Sequence, residues 1–265
     1  MTKFRKLLFG CGSVLVVSLL LARVHPFGDA ELYGSRSAYP TIEQSSIPPE
    51  VRVLLASKCA DCHSMQARPP LYGRLAPASW LMERDIVQGR KAMNLSLWQS
   101  YSDDQRQTFK AKIAEETRNH RMPLLQYRFI HWNRRVTSAD VELLSRWTRQ
   151  DATLDAATPG QRPGSGDPVR GREVFEKRCT GCHALEQDRE GPRLKGVYGR
   201  TSGTVPGFSY STALRNAHIV WNETSLEKWL TDPDALVPGT DMEFHVAKPQ
   251  ERVDIVRFLE EGAAK

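Results

Sequence analysis

Cys59-Ala60-Asp61-Cys62-His63 and Cys179-Thr180-Gly181-Cys182-His183 repeat one pattern, C-x-x-C-H. It is the attachment pattern of a c-type haem. Two thiols three positions apart lie on one turn, and each can form a thioether to a haem vinyl group. The histidine that follows can meet the iron from the proximal side. A Met or His at the sixth position suits electron transfer, and Met raises the potential. A single C-x-x-C also suits half a zinc site or a redox dithiol. The repeated pentad, His included, in a chain that opens on an export-type segment favours two haems. Of the five cysteines, only Cys11 lies outside the pentads. It has no partner left for a disulfide, so a disulfide framework is a poor reading.

Around these pentads the chain must build two shells. Its 265 residues suffice for two domains by the soft prior of ~150 residues each. The net charge of +6 is uneven: residues 1–166 carry 23 Lys/Arg and 15 Asp/Glu, whereas residues 167–265 carry 14 and 16. No basic run occurs past the first six residues, so nucleic acid is not an expected partner. Lys3, Arg5 and Lys6 precede an apolar run from Leu7 to Ala22, a positive region and an apolar region as in a secretory signal. The run is somewhat long for a signal and short for the ~20 residues of a spanning helix. Cleavage near Gly28-Asp29-Ala30 and retention as an anchor stay open, with retention slightly ahead. Leu8-Phe9-Gly10-Cys11 is only a faint lipoprotein box. The haem domains are expected outside the cytoplasm, periplasmic, with membrane association through residues 7–22.

The expected architecture is all-α. Residues 1–30 form the signal or anchor, 31–46 a tether, 47–152 a first haem domain, 153–167 a Pro/Gly-rich flexible linker and 168–265 a second haem domain. Pro48-Pro49-Glu50 should open a helix that buries Val51, Leu54 and Leu55 and runs into Cys59. A second helix is expected from Ala78 to Ala92. A third, from Asp103 to about Asn119, is capped by Ser102, and a fourth follows the Thr137/Asp140 box, burying Val141, Leu144 and Trp147. In the second domain a helix through Gly171 and Phe175 reaches Cys179. Thr224 and Glu227 read as a capping box, and Pro249 starts a last helix with Val253, Val256 and Leu259 on one face. Met122, held out of helix by Pro123, is the leading sixth ligand for the first haem, with His131 and His120 as rivals. Met242, after the Pro238-Gly239 turn, is the leading one for the second, with His218 and His245 behind it.

The first domain resembles a small bacterial haem-binding domain family. The resemblance rests on Cys59 to Ser64, Pro77-Ala78-Ser79-Trp80-Leu81, Asp85, Gly89-Arg90, Asn94-Leu95-Ser96, Trp98, Met122-Pro123 and Trp147. The second domain closely resembles mitochondrial-type, class I cytochrome c. Here the matching residues are Gly171, Phe175, Cys179 to His183, Gly191-Pro192-Arg193-Leu194, Gly196, Tyr198-Gly199-Arg200, Pro206 to Tyr210, Trp221, Pro238-Gly239-Thr240 and Met242. The resemblance implies His183 and Met242 as axial ligands and a Pro192 carbonyl that orients His183. It also implies Tyr210 and Trp221 bonded to a propionate, Arg200 nearby, and Gly171 and Phe175 packed against Phe258. Three departures stand out. Leu214 replaces an Asn. Trp229 replaces a Tyr beside the methionine, which is expected to remove a polar group. Asp234, Ala235 and Asp241 stand where lysines usually ring the haem edge.

The functional expectation is a dihaem c-type cytochrome that carries single electrons by outer-sphere transfer. Cys59, Cys62 and His63 hold one haem with Met122; Cys179, Cys182 and His183 hold the other with Met242. Redox proteins are the expected partners. The alternatives are a dihaem peroxidase, with Glu115, Glu116 or His120 as acid–base group, and a haem-based redox or gas sensor. Asp232, Asp234, Asp241 and Glu243 flank the Met242 loop and suggest an acidic face, to which the basic first domain could dock.

Overall fold

The computed structural model describes residues 2–32, 40–155 and 163–261. The middle of the expected linker, 156–162, and part of the tether, 33–39, lie outside the described residues. Among the described residues there is no strand, only an isolated antiparallel bridge between Thr201 and Val220. The helices in chain order are α1 (Thr2–Leu21), α2 (Pro49–Lys58), α3 (Ala60–His63), α4 (Ala78–Ala92), α5 (Asp103–Arg118) and α6 (Leu125–Ile130), followed by α7 (Ser138–Asp155), α8 (Pro168–Arg178), α9 (Thr212–Asn216), α10 (Glu223–Thr231), α11 (Pro233–Leu236) and α12 (Pro249–Glu261). Packing divides the chain into two compact units, residues 1–101 and 102–265. The division falls before α5, not at the Pro/Gly-rich stretch, because α5 packs on α7 and on α8.

In the first unit, Pro49 starts α2, which buries Val51, Leu54 and Leu55. Cys59 ends α2 and opens the single turn of α3. α1 closes against the turn before α4: the Ser18 hydroxyl donates to the Ala76 carbonyl (2.7 Å) and the Trp80 indole to that of Leu21 (3.0 Å). Val14 to Val17, Leu19 and Leu20 of α1 remain exposed. No helix among the described residues is long and apolar enough to cross a membrane. Arg90 joins two distant segments, donating to Ala30 O (2.6 Å) and Ser64 O (2.9 Å).

In the second unit, Ser102 and Gln105 form a reciprocal capping box on α5, and Thr137 and Asp140 bond in the same way ahead of α7. α7 runs to Asp155, so the first residues expected as linker are helical. Leu144 and Trp147 are buried, whereas Val141 is half-buried. α8 and α12 pack extensively on each other. A Cβ on Gly171 would strike the Asp254 carbonyl, so only glycine permits this approach. Phe175 and Phe258 meet there with centroids 5.3 Å apart, a pair worth ~0.5–1.5 kcal/mol beyond its burial. The buried stripe of α12 is Asp254, Ile255, Val256, Phe258 and Leu259, and Val253 lies at its edge. Asp254 tolerates burial because Arg170 grips both its oxygens (2.9 and 3.0 Å) and the Asp167 amide donates to it (2.9 Å). The cap of α10 also differs from expectation. Asn222 and Ser225, not Thr224 and Glu227, form its box. Asn ranks at least as high as Thr as a cap; its Oδ1 accepts from the Ser225 N–H (3.0 Å), and the Ser225 hydroxyl oxygen accepts in turn from the Asn222 N–H (2.8 Å).

Candidate functional site

A cavity of about 530 Å³ lies in the second unit, within the size range of small-molecule and cofactor pockets. Cys179, Cys182 and His183 line it, together with Met242, Pro192, Arg200, Tyr210 and Trp221. The end of α8 supplies the first three. The amides of Cys182 and His183 both bond to the Cys179 carbonyl (3.1 and 2.8 Å), which bends the pentad into one turn. Burial pushes both thiols up to about 12. Enclosure in protein lowers the pKa of His183, outweighing the pull of the Pro192 carbonyl. His183 Nδ1 lies 2.8 Å from that carbonyl. A ring that donates from Nδ1 presents its other nitrogen as a ligand, with the orientation set by the carbonyl. A Cβ on Gly191 would run into the His183 ring, so the loop closes on the imidazole only with glycine there.

Met242 lies on the same cavity, whereas His218 and His245 are not part of its lining. His245 is turned away, its Nδ1 3.2 Å from the Thr231 carbonyl. Trp229 corrects the expectation that a polar group is lost beside the methionine. Its indole N–H donates to Met242 Sδ at 3.1 Å. Its ring also packs on Trp221, with centroids 5.2 Å apart. Arg200 donates to the carbonyls of Lys195 (3.2 Å) and Arg193 (3.1 Å), and burial lowers its pKa. Burial raises that of Tyr210. Leu214 stands on the lining as an apolar side chain.

Sequence reasoning missed one wall altogether. Ala111, Glu115, Glu116, Asn119 and Arg121, all from α5 or just beyond it, complete the lining. Burial raises the pKa of Glu115, and Arg121 pairs with it (2.8 Å) and with Glu116 (2.9 Å). Lys112 reaches Glu190 at 3.2 Å. The polarity of α5 marks a solvated face in the sequence and gives no sign of what that face meets. The acidic patch is also less free than expected. Asp232 caps α11, Asp234 accepts from the Gly239 amide (3.0 Å), and Glu243 is buried.

In the first unit Cys59, Cys62 and His63 make the same turn. The amides of Cys62 and His63 bond to the Cys59 carbonyl at 3.2 and 3.0 Å. Cys62 packs on a cluster of Ala30, Leu32, Ala67 and Ile86, and burial pushes its thiol up to about 12. His63 Nδ1 lies 3.1 Å from the Met93 carbonyl, and desolvation lowers the pKa of the ring. Met122, His120 and His131 belong to residues 102–265. Met122 is half-buried in a bend after α5, His120 is exposed, and His131 stacks on Tyr127 at 4.3 Å.

Paired thiols on one turn, a neutral imidazole beside them and a thioether on the same cavity make up the donor set of a c-type haem protein. These residues fit that group: the cavity has the room, and its soft and imidazole donors converge. A Haem-binding domain family model matches residues 17–150, and a Cytochrome c model matches residues 168–263. Cytochrome c of Sesamum indicum is 38% identical over 117 residues, spanning 43% of this chain and 100% of the plant protein. Cytochrome c of Euglena viridis is 48% identical over 97 residues, 36% of this chain and 95% of its own length. Among solved structures, cytochrome cH from Methylobacterium extorquens is 37% identical, covering 36% of this chain and 98% of that one, with a TM-score of 0.35. The chain belongs to the cytochrome c family through its C-terminal part and to the haem-binding domain family through its N-terminal part.

Proposed function

We propose that the chain is a dihaem c-type cytochrome that passes single electrons between redox proteins outside the cytoplasm. The observation behind this is the repeated turn: in both units a cysteine pair precedes a desolvated histidine whose Nδ1 faces a backbone carbonyl. That arrangement leaves Nε2 of His63 and of His183 to meet iron. Cys59 and Cys62 would hold one haem by thioethers, and Cys179 and Cys182 the other. Met242 would close the second site, and Met122 the first. A bound haem supplies the chemistry, a one-electron change at its iron. The residues around it would hold the iron from both sides through His63 and Met122 or His183 and Met242, exclude water and fix orientation, and no substrate bond would be made or broken. Arg200, Tyr210 and Trp221 offer donors suited to propionates. The basic start of the chain and the exposed apolar row of α1 support export and attachment to a membrane surface, as a periplasmic protein of the inner membrane.

The test is denaturing mass spectrometry of the full-length holoprotein followed by a redox titration. Two haem masses and two one-electron waves are expected, and a single added haem would overturn the dihaem reading. Glu115 favours a peroxidase as a second reading, because a carboxyl with raised pKa lines the haem cavity. Its pairing with Arg121 and the presence of Met242 on the same cavity favour the carrier. Turnover of hydrogen peroxide against a reduced donor decides between them.

A further inference from the structure

Helices α5 and α7 reach the loop that carries Met242. Arg118, the last residue of α5, donates from Nη1 to the Thr240 carbonyl at 2.8 Å. Its Nη2 pairs with the Glu243 carboxylate and donates to the Ser145 hydroxyl at 3.0 Å. Ser145 passes the bond on to Glu243 Oε1 at 3.1 Å, and the Thr148 hydroxyl donates to Oε2 at 3.4 Å. One turn into α5, Gln107 donates to the His245 carbonyl at 2.6 Å. These bonds take hold at positions 240, 243 and 245, on both sides of Met242. The loop's own backbone bonds lie at its ends, Thr240 N–H to Val237 and Val246 N–H to Leu230. Between those ends α10 touches Met242 through the Trp229 indole and His245 through the Thr231 carbonyl, and the bonds to Thr240, Glu243 and the His245 carbonyl come from α5 and α7. Glu243 is only 5% exposed, and a carboxylate so buried needs its cation and its hydroxyl donors to stay there.

We propose that Arg118 is a positioning residue for Met242. Its bonds to Thr240 and Glu243 press the loop onto the cavity so that the thioether stays toward His183, and coordination by Met242 depends on α5 and α7 remaining docked. This rests on the reading of Met242 as the axial ligand. The haem-binding domain family match extends over α5 and α7. The ligand field of the cytochrome c part is therefore set in part by its neighbour.

The test uses the full-length holoprotein and two spectroscopic signals: the far-red band of thioether coordination in the ferric state, and carbon monoxide binding in the ferrous state. Met242→Ala defines the share of the band that belongs to the second haem. Arg118→Ala is expected to remove most of that share and to raise carbon monoxide binding about tenfold or more, the effect of losing charge-assisted bonds that hold the loop closed. Arg170→Ala cuts the ion pair to Asp254 between α8 and α12, and it is expected to lower the melting temperature while leaving the band intact. Should Arg118→Ala fail to fold, Ser145→Ala with Thr148→Ala strips the hydroxyl donors from Glu243 and is expected to weaken the band by a smaller fraction. A folded Arg118→Ala with a full band, or equal losses in Arg118→Ala and Arg170→Ala, would overturn the clamp. So would an unchanged band in the Ser145/Thr148 variant. No change in Met242→Ala would overturn the ligand assignment beneath it.

Discussion

The two C-x-x-C-H turns share a backbone and a carbonyl at the histidine, and differ in where the surrounding groups come from. In each, the second cysteine and the histidine bond back to the first cysteine. Beyond that, His183 finds its carbonyl on Pro192 in its own loop, nine residues on, whereas His63 finds Met93 at the end of α4, thirty residues on. The 179–183 site has a methionine on its own cavity. The proposed partner of the 59–63 site, Met122, belongs to the other compact unit. The pentad thus specifies its turn by short-range bonds, and packing supplies the carbonyl that faces each histidine. The two turns draw the carbonyls that face their histidines from different distances along the chain.

The comparison breaks most visibly at the cysteines. Cys59→Ala with Cys62→Ala is expected to remove one covalent haem mass under denaturing conditions, and Cys179→Ala with Cys182→Ala the other. Two haem masses surviving in either variant would end the parallel. Next come the thioethers. Met242→Ala should admit carbon monoxide and lower one potential by on the order of 100 mV, given the wide range that axial ligands command. Met122→Ala should do the same to the other potential, and an unaltered spectrum there would move the sixth ligand to a histidine. Glycines sharpen the contrast at smaller scale. A Cβ at Gly191 meets the His183 ring itself, whereas one at Gly89 would lie 2.8 Å from the Cys62 carbonyl. Alanine at either site should cost ~1–3 kcal/mol in thermal unfolding of the holoprotein. Only Gly191→Ala should also disturb the haem spectrum. The smallest effect is expected from Trp229→Phe, which keeps the packing and deletes the indole donor to Met242. A bond of ~0.5–1.5 kcal/mol corresponds to a fall of ~20–60 mV in the second potential. An unmoved potential would show that the indole bond makes no difference to the thioether.

Much of this was legible from short-range rules. Pro49 and Pro249 mark helix starts, and Ser102/Gln105 and Thr137/Asp140 close their boxes within three residues. Near Asn222 two overlapping boxes fit the same letters, and only the three-dimensional bonds select one. Trp229 illustrates a different limit. Replacing a phenol by an indole moves a donor without abolishing it, and where the N–H points depends on how the ring packs against Trp221. The placement of α5 was the least legible. Its amphipathic pattern shows that one face is covered, and nothing in that pattern names the covering surface. Arg118 and Glu243 look like ordinary surface charges until packing makes them partners 125 positions apart.

The docking of α5 also bears on the order in which the protein matures. The methyl group of Thr108 lies where a side chain on Gly181 would go, so the helix sits directly over the attachment turn. Beneath it are two thiols pushed up to about 12 by burial, which gives them little reactive thiolate at neutral pH. If Cys179 and Cys182 form the proposed thioethers, α5 docked on the turn would cover the groups that have to react.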